Sequence, residues 1–305
     1  EVDTAEVVSA HDPVLDLDGG HTRCADADAV ERSRHTGDLE PVEIERDIRG
    51  LDDDARLPRQ CTAHAARQVV RPRRGDTEDG RRITITRHPQ TEDADICFHL
   101  LYVCLAIALQ QRGHLVLHGN TVLINGRGVT FAGHSGAGKS TLLAALVARG
   151  YPMLADDITV VENGADGGLQ VRPGFPHYKL CLDAAERLQT DTAVATPVRW
   201  RQKVGIQANR GDFSESPAPL DAIFILEKAV DTALHCQPLQ GIDKFLAVQG
   251  NIYGPDGIGK LQSQSQVTMQ VAGETAVYRL VRPEHEWTLD RVIALVMDQL
   301  QVADV

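Results

Sequence analysis

The stretch Gly133–Ser140 reads GHSGAGKS. It fills every fixed position of the pattern G-x-x-x-x-G-K-[ST], in which backbone N–H groups of a glycine-rich loop surround phosphates. The apolar run VTFAG leads into it, and the helix-forming run KSTLLAALVARG follows. Because this motif is specific when it lies between a strand and a helix, the sequence predicts a phosphate-binding loop here.

Each residue type in this loop has a physical task. A Cβ would block close approach of the backbone to phosphate, so glycines recur. Lys139 supplies a positive charge for the terminal phosphates, Ser140 offers a hydroxyl to Mg²⁺, and the helix N-terminus adds partial positive charge. We therefore expect ATP and Mg²⁺ as cofactors. The residues predicted to bind the nucleotide are Gly133, His134, Ser135, Gly136, Ala137, Gly138, Lys139, Ser140 and Thr141.

Two adjacent carboxylates, Asp156 and Asp157, close the apolar segment YPMLADD after the helix of the loop. At a strand end the backbone can bring neighbouring side chains to one mouth of the sheet. One acid can help to hold Mg²⁺ while the other accepts the proton of an attacking hydroxyl. His118 ends the run HLVLH and can reach the same mouth. The predicted catalytic residues are Asp156, Asp157, His118 and Lys139, with Ser140 and Asp157 at the metal.

The composition excludes several classes of protein. The 305 residues carry a formal net charge of −12, which argues against nucleic acid as the main partner. No apolar run reaches the roughly 18 residues that a membrane span needs. Six cysteines are scattered without a C-x-x-C pair, which favours reduced thiols over a zinc site or disulfides. We expect a cytoplasmic protein that does not bind membranes.

The chain changes character near residue 92. Residues 1–92 predict a β-rich N-terminal accessory or substrate-docking region, and the charged run RPRRGDTEDGRR predicts a turn or exposed loop, most simply the solvated tip of a hairpin. Residues 93–305 predict a catalytic domain. The run ADICFHLLYVCLAIALQQRG predicts a buried helix, and HLVLHG, TVLING, VTFAG, YPMLADDITVVENG and LDAIFILEKA predict strands. A final amphipathic helix is expected in WTLDRVIALVMDQLQV, and the order strand, loop, helix, strand favours a parallel α/β sheet.

The segments LHG, INGRGVTFAGHSGAGKST and ARGYPMLADD together resemble the catalytic domain of the HPr kinase/phosphorylase-like serine kinases. The resemblance runs from about Gly113 to Val161 and continues more weakly to the C-terminal helix. It implies an α/β fold of the HPr kinase/phosphoenolpyruvate carboxykinase-like P-loop type. It also implies that Asp156 is the general base toward a serine hydroxyl, that Asp157 lies beside metal and phosphates, and that His118 lies near the transferred phosphate.

One segment departs from that family. HPr kinases carry a signature like EIRGLG downstream of the aspartates, where this chain reads RPGFPHYKLCLDAAERL. Reversible phosphorolysis and HPr itself as the substrate are therefore not expected. Shortened relatives with this pattern resemble kinases that tailor ribosomally made peptides, such as lasso precursors. The resemblance implies a serine-bearing protein or peptide as partner and, because related kinases form rings, a homo-oligomer.

Basic residues downstream of the aspartates could neutralise charge in a transition state or bind a substrate carboxylate. Lys179 and Lys203 are the favoured pair among Arg172, Lys179, Arg199, Arg201 and Lys203. Glu227, which ends the run AIFILE, imitates the metal-binding acid of other phosphate-loop proteins. Trp200 and Trp287 fit packing better than base stacking.

Three functions are compatible with these residues. The first is an ATP- and Mg²⁺-dependent kinase that acts on a serine or threonine of a protein or peptide. The second is a kinase for a small-molecule alcohol, and the third is a nucleotide-sensing regulatory protein without transfer. The aspartate pair and His118 favour the first two because a pure binder needs no proton acceptor. The extra N-terminal third favours a macromolecular substrate over a small alcohol.

Overall fold

The computed structural model describes residues 42–44, 61–62, 74–78, 80–86, 96, 99–190, 196–198, 203–254 and 262–301. The described residues fall in one structural unit, residues 41–305. Its strands are β1 (Val42–Ile44), β2 (Cys61–Thr62), β3 (Arg74–Glu78), β4 (Arg82–Thr86), β5 (Leu115–Ile124), β6 (Arg127–Ala132), β7 (Met153–Ala155), β8 (Ile158–Asn163), β9 (Leu169–Val171), β10 (His177–Cys181), β11 (Thr196–Val198), β12 (Lys203–Gln207), β13 (Ala218–Ala229), β14 (His235–Pro238) and β15 (Ala276–Pro283). Its helices are a π-helical segment (His99–Cys104) that continues as α1 (Leu105–Gln111), then α2 (Lys139–Ala148), α3 (Leu182–Arg187), α4 (Gly241–Gly250), α5 (Gln262–Glu274) and α6 (Leu289–Gln299).

The fold is a mixed α/β structure around one large sheet. The strand order in this sheet is β14-β15-β13-β6-β5-β8-β9, and β7 pairs with β5 beside β8. A second contact between β13 and β9 closes β13, β6, β5, β8 and β9 into a ring. A smaller sheet has the order β10-β12-β11. The large sheet carries the predicted site, because β5, β6, β7 and β8 contain or flank its residues.

The sheet is mixed, and the expectation of a parallel sheet is wrong. The segments HLVLHG and TVLING form one long strand, β5, which turns directly into β6. Asn125 and Gly126 form the two-residue turn with φ angles of 52° and 74°, and Ile124 pairs with Arg127. Such a turn forces its strands to be antiparallel. On its other edge β6 is parallel to β13, which is parallel to β15.

The segment expected as one strand around the aspartates is two strands. Register explains the break: Ala155 of β7 pairs with Thr121, and Ile158 of β8 pairs with His118. Asp156 and Asp157 lie between these pairs, beside the middle of β5. The break therefore places both acids next to the backbone that carries His118.

The helix after the phosphate loop is buried almost all round. In α2 the residues from Leu142 to Val147 are all buried. They belong to a core on one face of the large sheet that also includes Phe131, Phe224 and residues of α6. A second core, on Leu115, Leu154 and Ile223 among others, includes residues of α4 and α5. The helices thus cover both faces of the sheet, and α2 is held firmly behind the loop.

The predicted buried helix is confirmed for residues 99–111, and its first turns are π-helical. Gly113, with a φ of 87°, follows its end as expected. Tyr102, Cys104 and Ile107 are buried. In the described part of the chain, no helix combines the length and apolar composition needed to cross a bilayer.

The charged run before residue 83 lies in a hairpin, as expected, but residues 74–78 and Arg82 belong to its strands and Gly80 in its turn is buried. Residues Arg74–Glu78 form β3 and pair with β4 as a hairpin. Gly80 in the turn donates its backbone N–H to Gln111 Oε1 at 2.8 Å, and Ile85 is buried. Charged side chains are compatible with a strand because pairing uses backbone groups. The predicted boundary at residue 92 stays a prediction, and most of residues 1–73 lie outside the described part.

Candidate active site

The predicted phosphate loop lies between β6 and α2, as its motif requires. Three of its glycines have left-handed backbones: φ is 140° at Gly133, 86° at Gly136 and 110° at Gly138. A Cβ on Gly133 would lie 2.4 Å from the backbone oxygen of Leu226 on β13. The loop therefore needs glycine both for its turns and for its close packing on the neighbouring strand.

Lys139 folds back over the loop. Its Nζ donates to the carbonyl of Gly133 at 2.6 Å and to that of His134 at 3.2 Å. Burial lowers the pKa of this ammonium to about 8, Asp157 and Asp156 oppose the shift, and Lys203 adds to it. The middle of the loop, residues 134–136, is exposed. The arrangement holds one cation at the loop and leaves the loop open to an approaching anion.

Asp156 is a buried carboxyl with one free oxygen. Its Oδ2 accepts the backbone N–H of Lys179 at 2.9 Å, whereas its Oδ1 is buried and has no hydrogen-bond partner. Burial raises the pKa of Asp156 to about 7, and the neighbouring charge of Asp157 raises it further, while Lys179 opposes both effects. A carboxyl with such a pKa and an unengaged oxygen is suited to accept a proton near neutral pH.

Asp157 is held as an anion. Its backbone is left-handed, with a φ of 65°, and its N–H donates to Asn120 Oδ1 at 3.2 Å. Its Oδ2 forms an ion pair with the ammonium of Lys179. Burial raises the pKa of Asp157, but Lys179 and His118 outweigh burial and the net pKa is lowered. The two aspartates, although adjacent, are thus pushed in opposite directions by their surroundings.

His118 contacts the same segment. Its backbone N–H donates to the carbonyl of Asn251 at 2.8 Å, and its ring lies 5.6 Å from that of Tyr253. Burial lowers the pKa of His118 to about 4, and nearby Lys139 adds to this, although a hydrogen bond with the backbone of Asp157 opposes it. His118 is therefore a neutral imidazole near pH 7, able to donate or accept a hydrogen bond without a charge.

The structure brings the four residues predicted as catalytic to one place: His118 pairs with Ile158 beside the two aspartates, Lys179 contacts both aspartates, and Lys139 lies on the adjoining loop. Lys179 joins them directly. Lys203 also acts on the aspartates and on Lys139 through its charge. Ser140 and Thr141 lie on the first turn of α2 and are partly exposed.

Of the other predicted residues, Glu227 lies beside the phosphate loop: it pairs with Arg279 at 3.2 Å and lines one pocket together with Gly133 and His134. Arg172 instead pairs with Glu162 at 2.8 Å. Trp287 is half-exposed and faces the guanidinium of Arg187. Arg199, Trp200 and Arg201 lie outside the described residues.

Four residues of the site were missed by the sequence reasoning. Asn120 follows His118 on β5, and its buried Nδ2 has no hydrogen-bond partner. Tyr102 and Tyr253 surround the aspartates, and both have raised pKa values because of burial and nearby acidic groups. Arg282 of β15 donates to the carbonyl of Ala137 at 3.0 Å. A buried polar Asn within an apolar strand is a usable sequence signal, whereas the two tyrosines and Arg282 arrive by long-range packing.

The donors present fit a magnesium ion. Asp157 supplies one carboxylate, whose Oδ2 is paired with Lys179, and Ser140 supplies a partly exposed hydroxyl at the start of α2. No group of three or more His, Cys, Asp or Glu that could hold a metal occurs among the described residues. Mg²⁺ usually takes only one or two carboxylates and completes its shell with waters and phosphate oxygens. Asp157 and the Ser140 hydroxyl match that pattern.

Comparisons with known proteins give similarities among solved structures only. No protein-family model matches the chain, and no curated protein matches it. Among solved structures, the chain is similar to the HPr(Ser) kinase/phosphatase from Coxiella burnetii, with 13% sequence identity and a TM-score of 0.30. That match covers 61% of this chain and 90% of the other. At this level of similarity, the assignment of the site rests on the geometry of this chain alone.

Proposed function

We propose that this protein is an ATP- and Mg²⁺-dependent kinase that transfers phosphate to a serine or threonine hydroxyl of a protein or precursor peptide. One observation carries the proposal: the buried Oδ1 of Asp156 has no partner, in a carboxyl whose pKa is about 7. A protein that only binds nucleotide has no use for a base of this kind. A phosphoryl transfer to a hydroxyl does, because the hydroxyl proton must leave.

The residues divide the work as follows. The backbone of residues 133–138 and the Lys139 ammonium bind the phosphates and fix their position. Ser140 and Asp157 would hold Mg²⁺, which when bound neutralises negative charge on the phosphates. In the transfer, the acceptor oxygen forms a bond to the terminal phosphorus while the bond from phosphorus to the bridging oxygen breaks, leaving ADP. The hydroxyl proton passes to Asp156.

His118 supports this arrangement as a neutral group. With a pKa of about 4, its ring carries no charge at neutral pH. It can donate a hydrogen bond to the transferred phosphate without adding a positive charge that would compete with Lys139. The ring is held by Tyr253 on one side and by the backbone of Asp157 on another. His118 therefore positions the transferred phosphate, and the carboxylate of Asp156 accepts the proton.

The proposal is tested by separating binding from transfer. Asp156→Asn keeps the shape of the side chain and its acceptor for the Lys179 N–H but removes the base. It should retain MgATP binding and lose phosphate transfer by about 10²- to 10⁴-fold. Lys139→Ala should instead weaken MgATP binding itself. Calorimetry measures binding, and mass spectrometry measures phosphate on candidate serine peptides and proteins.

Two control variants sharpen the comparison. Asp166→Asn changes an exposed aspartate that also accepts one backbone N–H, from Gly168 at 3.1 Å. Lys228→Ala removes an exposed lysine that pairs with Glu284 at 2.7 Å. Both should leave binding and transfer unchanged. Transfer that survives in Asp156→Asn would refute the base, and tight MgATP binding with no product from any hydroxyl would favour a nucleotide sensor.

A further inference from the structure

Lys179 joins the two aspartates through two different groups. Its backbone N–H donates to Asp156 Oδ2, while its side-chain ammonium forms the ion pair with Asp157 Oδ2. The lysine side chain is only 4% exposed, so this ion pair is shielded from bulk water. A buried ammonium interacts with a neighbouring charge far more strongly than an exposed one does.

The position of Lys179 is fixed from several sides. It lies in the middle of β10, opposite Gly205 of β12. The residues before and after it in β10 also pair with β12, which holds the strand in register. The ammonium lies 3.5 Å from the centroid of the Tyr102 ring, which is buried. Contact with an aromatic face adds to the stability of a cation at this point. The usual mobility of a lysine side chain is therefore suppressed here.

We propose that Lys179 is the resident counter-ion of Asp157 and keeps a free divalent cation off this carboxylate until a nucleotide binds. The inference rests on the proposed function in one respect, that Asp157 is a metal ligand. The ammonium occupies one oxygen of the carboxylate that the metal needs, and two cations on one carboxylate repel each other. The phosphates of a nucleotide bring the negative charge that compensates both cations. Divalent metal therefore enters this site together with the nucleotide.

A purely structural ion pair would not explain the arrangement as well. A buried ion pair contributes little net stability, because desolvation of both charges offsets their attraction. Here the lysine neutralises one of two adjacent carboxylates and leaves Oδ1 of the other without a partner. Such an arrangement allows two adjacent carboxyl groups to stay buried when no metal is bound, because the lysine balances the charge of one of them. That is the state the site must hold between catalytic cycles.

The test measures Mn²⁺ binding to the full chain without nucleotide, by the electron paramagnetic resonance signal of free Mn²⁺. The unmodified protein should bind Mn²⁺ weakly. Lys179→Gln removes the charge but keeps a hydrogen-bond donor for Asp157, and it should bind Mn²⁺ at least about tenfold more tightly. Lys179→Arg keeps the charge and should bind as weakly as the unmodified protein. Thermal unfolding of each variant confirms that it is folded.

Lys228→Gln is the control, because it removes an exposed lysine whose ammonium pairs with Glu284 and does not contact the aspartates. It should change Mn²⁺ affinity by less than about threefold. Equal tightening in Lys228→Gln, or no tightening in Lys179→Gln, would overturn the inference. Micromolar binding of Mn²⁺ to the unmodified protein without nucleotide would overturn it without any variant. Because the readout needs no turnover, a missing transfer activity would count against the proposed kinase alone.

Discussion

At the scale of single residues, the two neighbouring aspartates have opposite environments. Asp156 is buried with one oxygen unpaired, while Asp157 is paired with Lys179. Pairs of acids whose pKa values are pushed apart are a common way to assign a proton acceptor and a permanent anion in one site. Burying a carboxyl oxygen without a partner lowers the stability of the folded protein. The position of Asp156 is therefore explained by function and not by stability.

This cost can be measured as a function of pH. The pKa of Asp156 is raised to about 7 in the folded protein, whereas an ordinary aspartate has a pKa of about 4. Between these values the folded state holds a proton that the unfolded state has released, so stability falls as pH rises through this window. Asp156→Asn removes the effect. At pH 8 without nucleotide, the variant should therefore unfold several degrees higher than the unmodified protein.

The same comparison at pH 4 should show little difference, because the folded carboxyl is then protonated and the unfolded one is about half protonated, so the two states bind nearly the same number of protons. Thermal unfolding followed by circular dichroism across this pH range provides the measurement. Asp166→Asn, at an exposed turn, should show no such pH-dependent gain. A Tm difference for Asp156→Asn that does not grow with pH would contradict the assigned protonation.

At the scale of elements, the site is made where regular structure stops. β6 ends at the phosphate loop, and the chain between β7 and β8, which both pair with β5, is irregular at the aspartates. Both interruptions flank β5, whose His118 and Asn120 contact the segment between β7 and β8. Rigid strands on each side fix the interruptions, so loop residues gain precise positions from the sheet.

Gly133→Ala tests the contact between the phosphate loop and β13. A Cβ would meet the backbone oxygen of Leu226 at 2.4 Å, and backbone cannot move away as a flexible side chain can. The φ of 140° adds strain for alanine. We expect the variant to lose about 1–3 kcal/mol of stability and to bind MgATP more weakly. Denaturant unfolding and calorimetry measure the two effects.

Gly273→Ala is the matched control within α5. A Cβ there meets nothing within 4 Å, and the residue lies in a helix, where alanine is favoured over glycine. It should stabilise the protein by about 0.5–1 kcal/mol and leave nucleotide binding unchanged. If Gly133→Ala behaved like this control, the close packing of the loop on β13 would not matter for the site.

At the scale of the whole molecule, the predicted domain boundary at residue 92 separates two elements that pack against each other. The hairpin of β3 and β4 lies against α1, where the Gly80 N–H satisfies the buried amide of Gln111. The described unit begins at residue 41. A chain that starts after this hairpin would lose the buried Ile85 and the hydrogen bond that Gly80 N–H donates to Gln111 Oε1.

Truncation therefore has two different expected outcomes. A chain that begins at Pro41 should bind MgATP and unfold within a few degrees of the full chain. A chain that begins at Thr91 loses the hairpin and should unfold at a clearly lower temperature. Differential scanning calorimetry compares them, with phosphate transfer as a second readout for substrate docking by the removed residues. Equal stability of the two truncated chains would show that the hairpin is dispensable for the fold.

The sequence by itself determined the local parts of this protein. The phosphate loop, the helix behind it, the turn at Asn125 and Gly126, and the identity of the aspartate pair all follow from motifs and from backbone preferences that act over a few residues. Such signals are strong because few other local structures are compatible with glycines at fixed spacing or with a helical run that lacks proline. His118 could be named because it ends an apolar run close to the loop.

Only the tertiary structure decided which distant residues complete the site and how the sheet is arranged. Lys179 reaches Asp157 from β10, and Arg282 reaches the loop from β15, because strands far apart in sequence are brought side by side. The mixed sheet follows from the tight turn between β5 and β6, combined with the parallel neighbour β13. The opposite pKa shifts of the two aspartates depend on burial and on Lys179, and these are properties of packing that neighbouring residues in the sequence cannot encode.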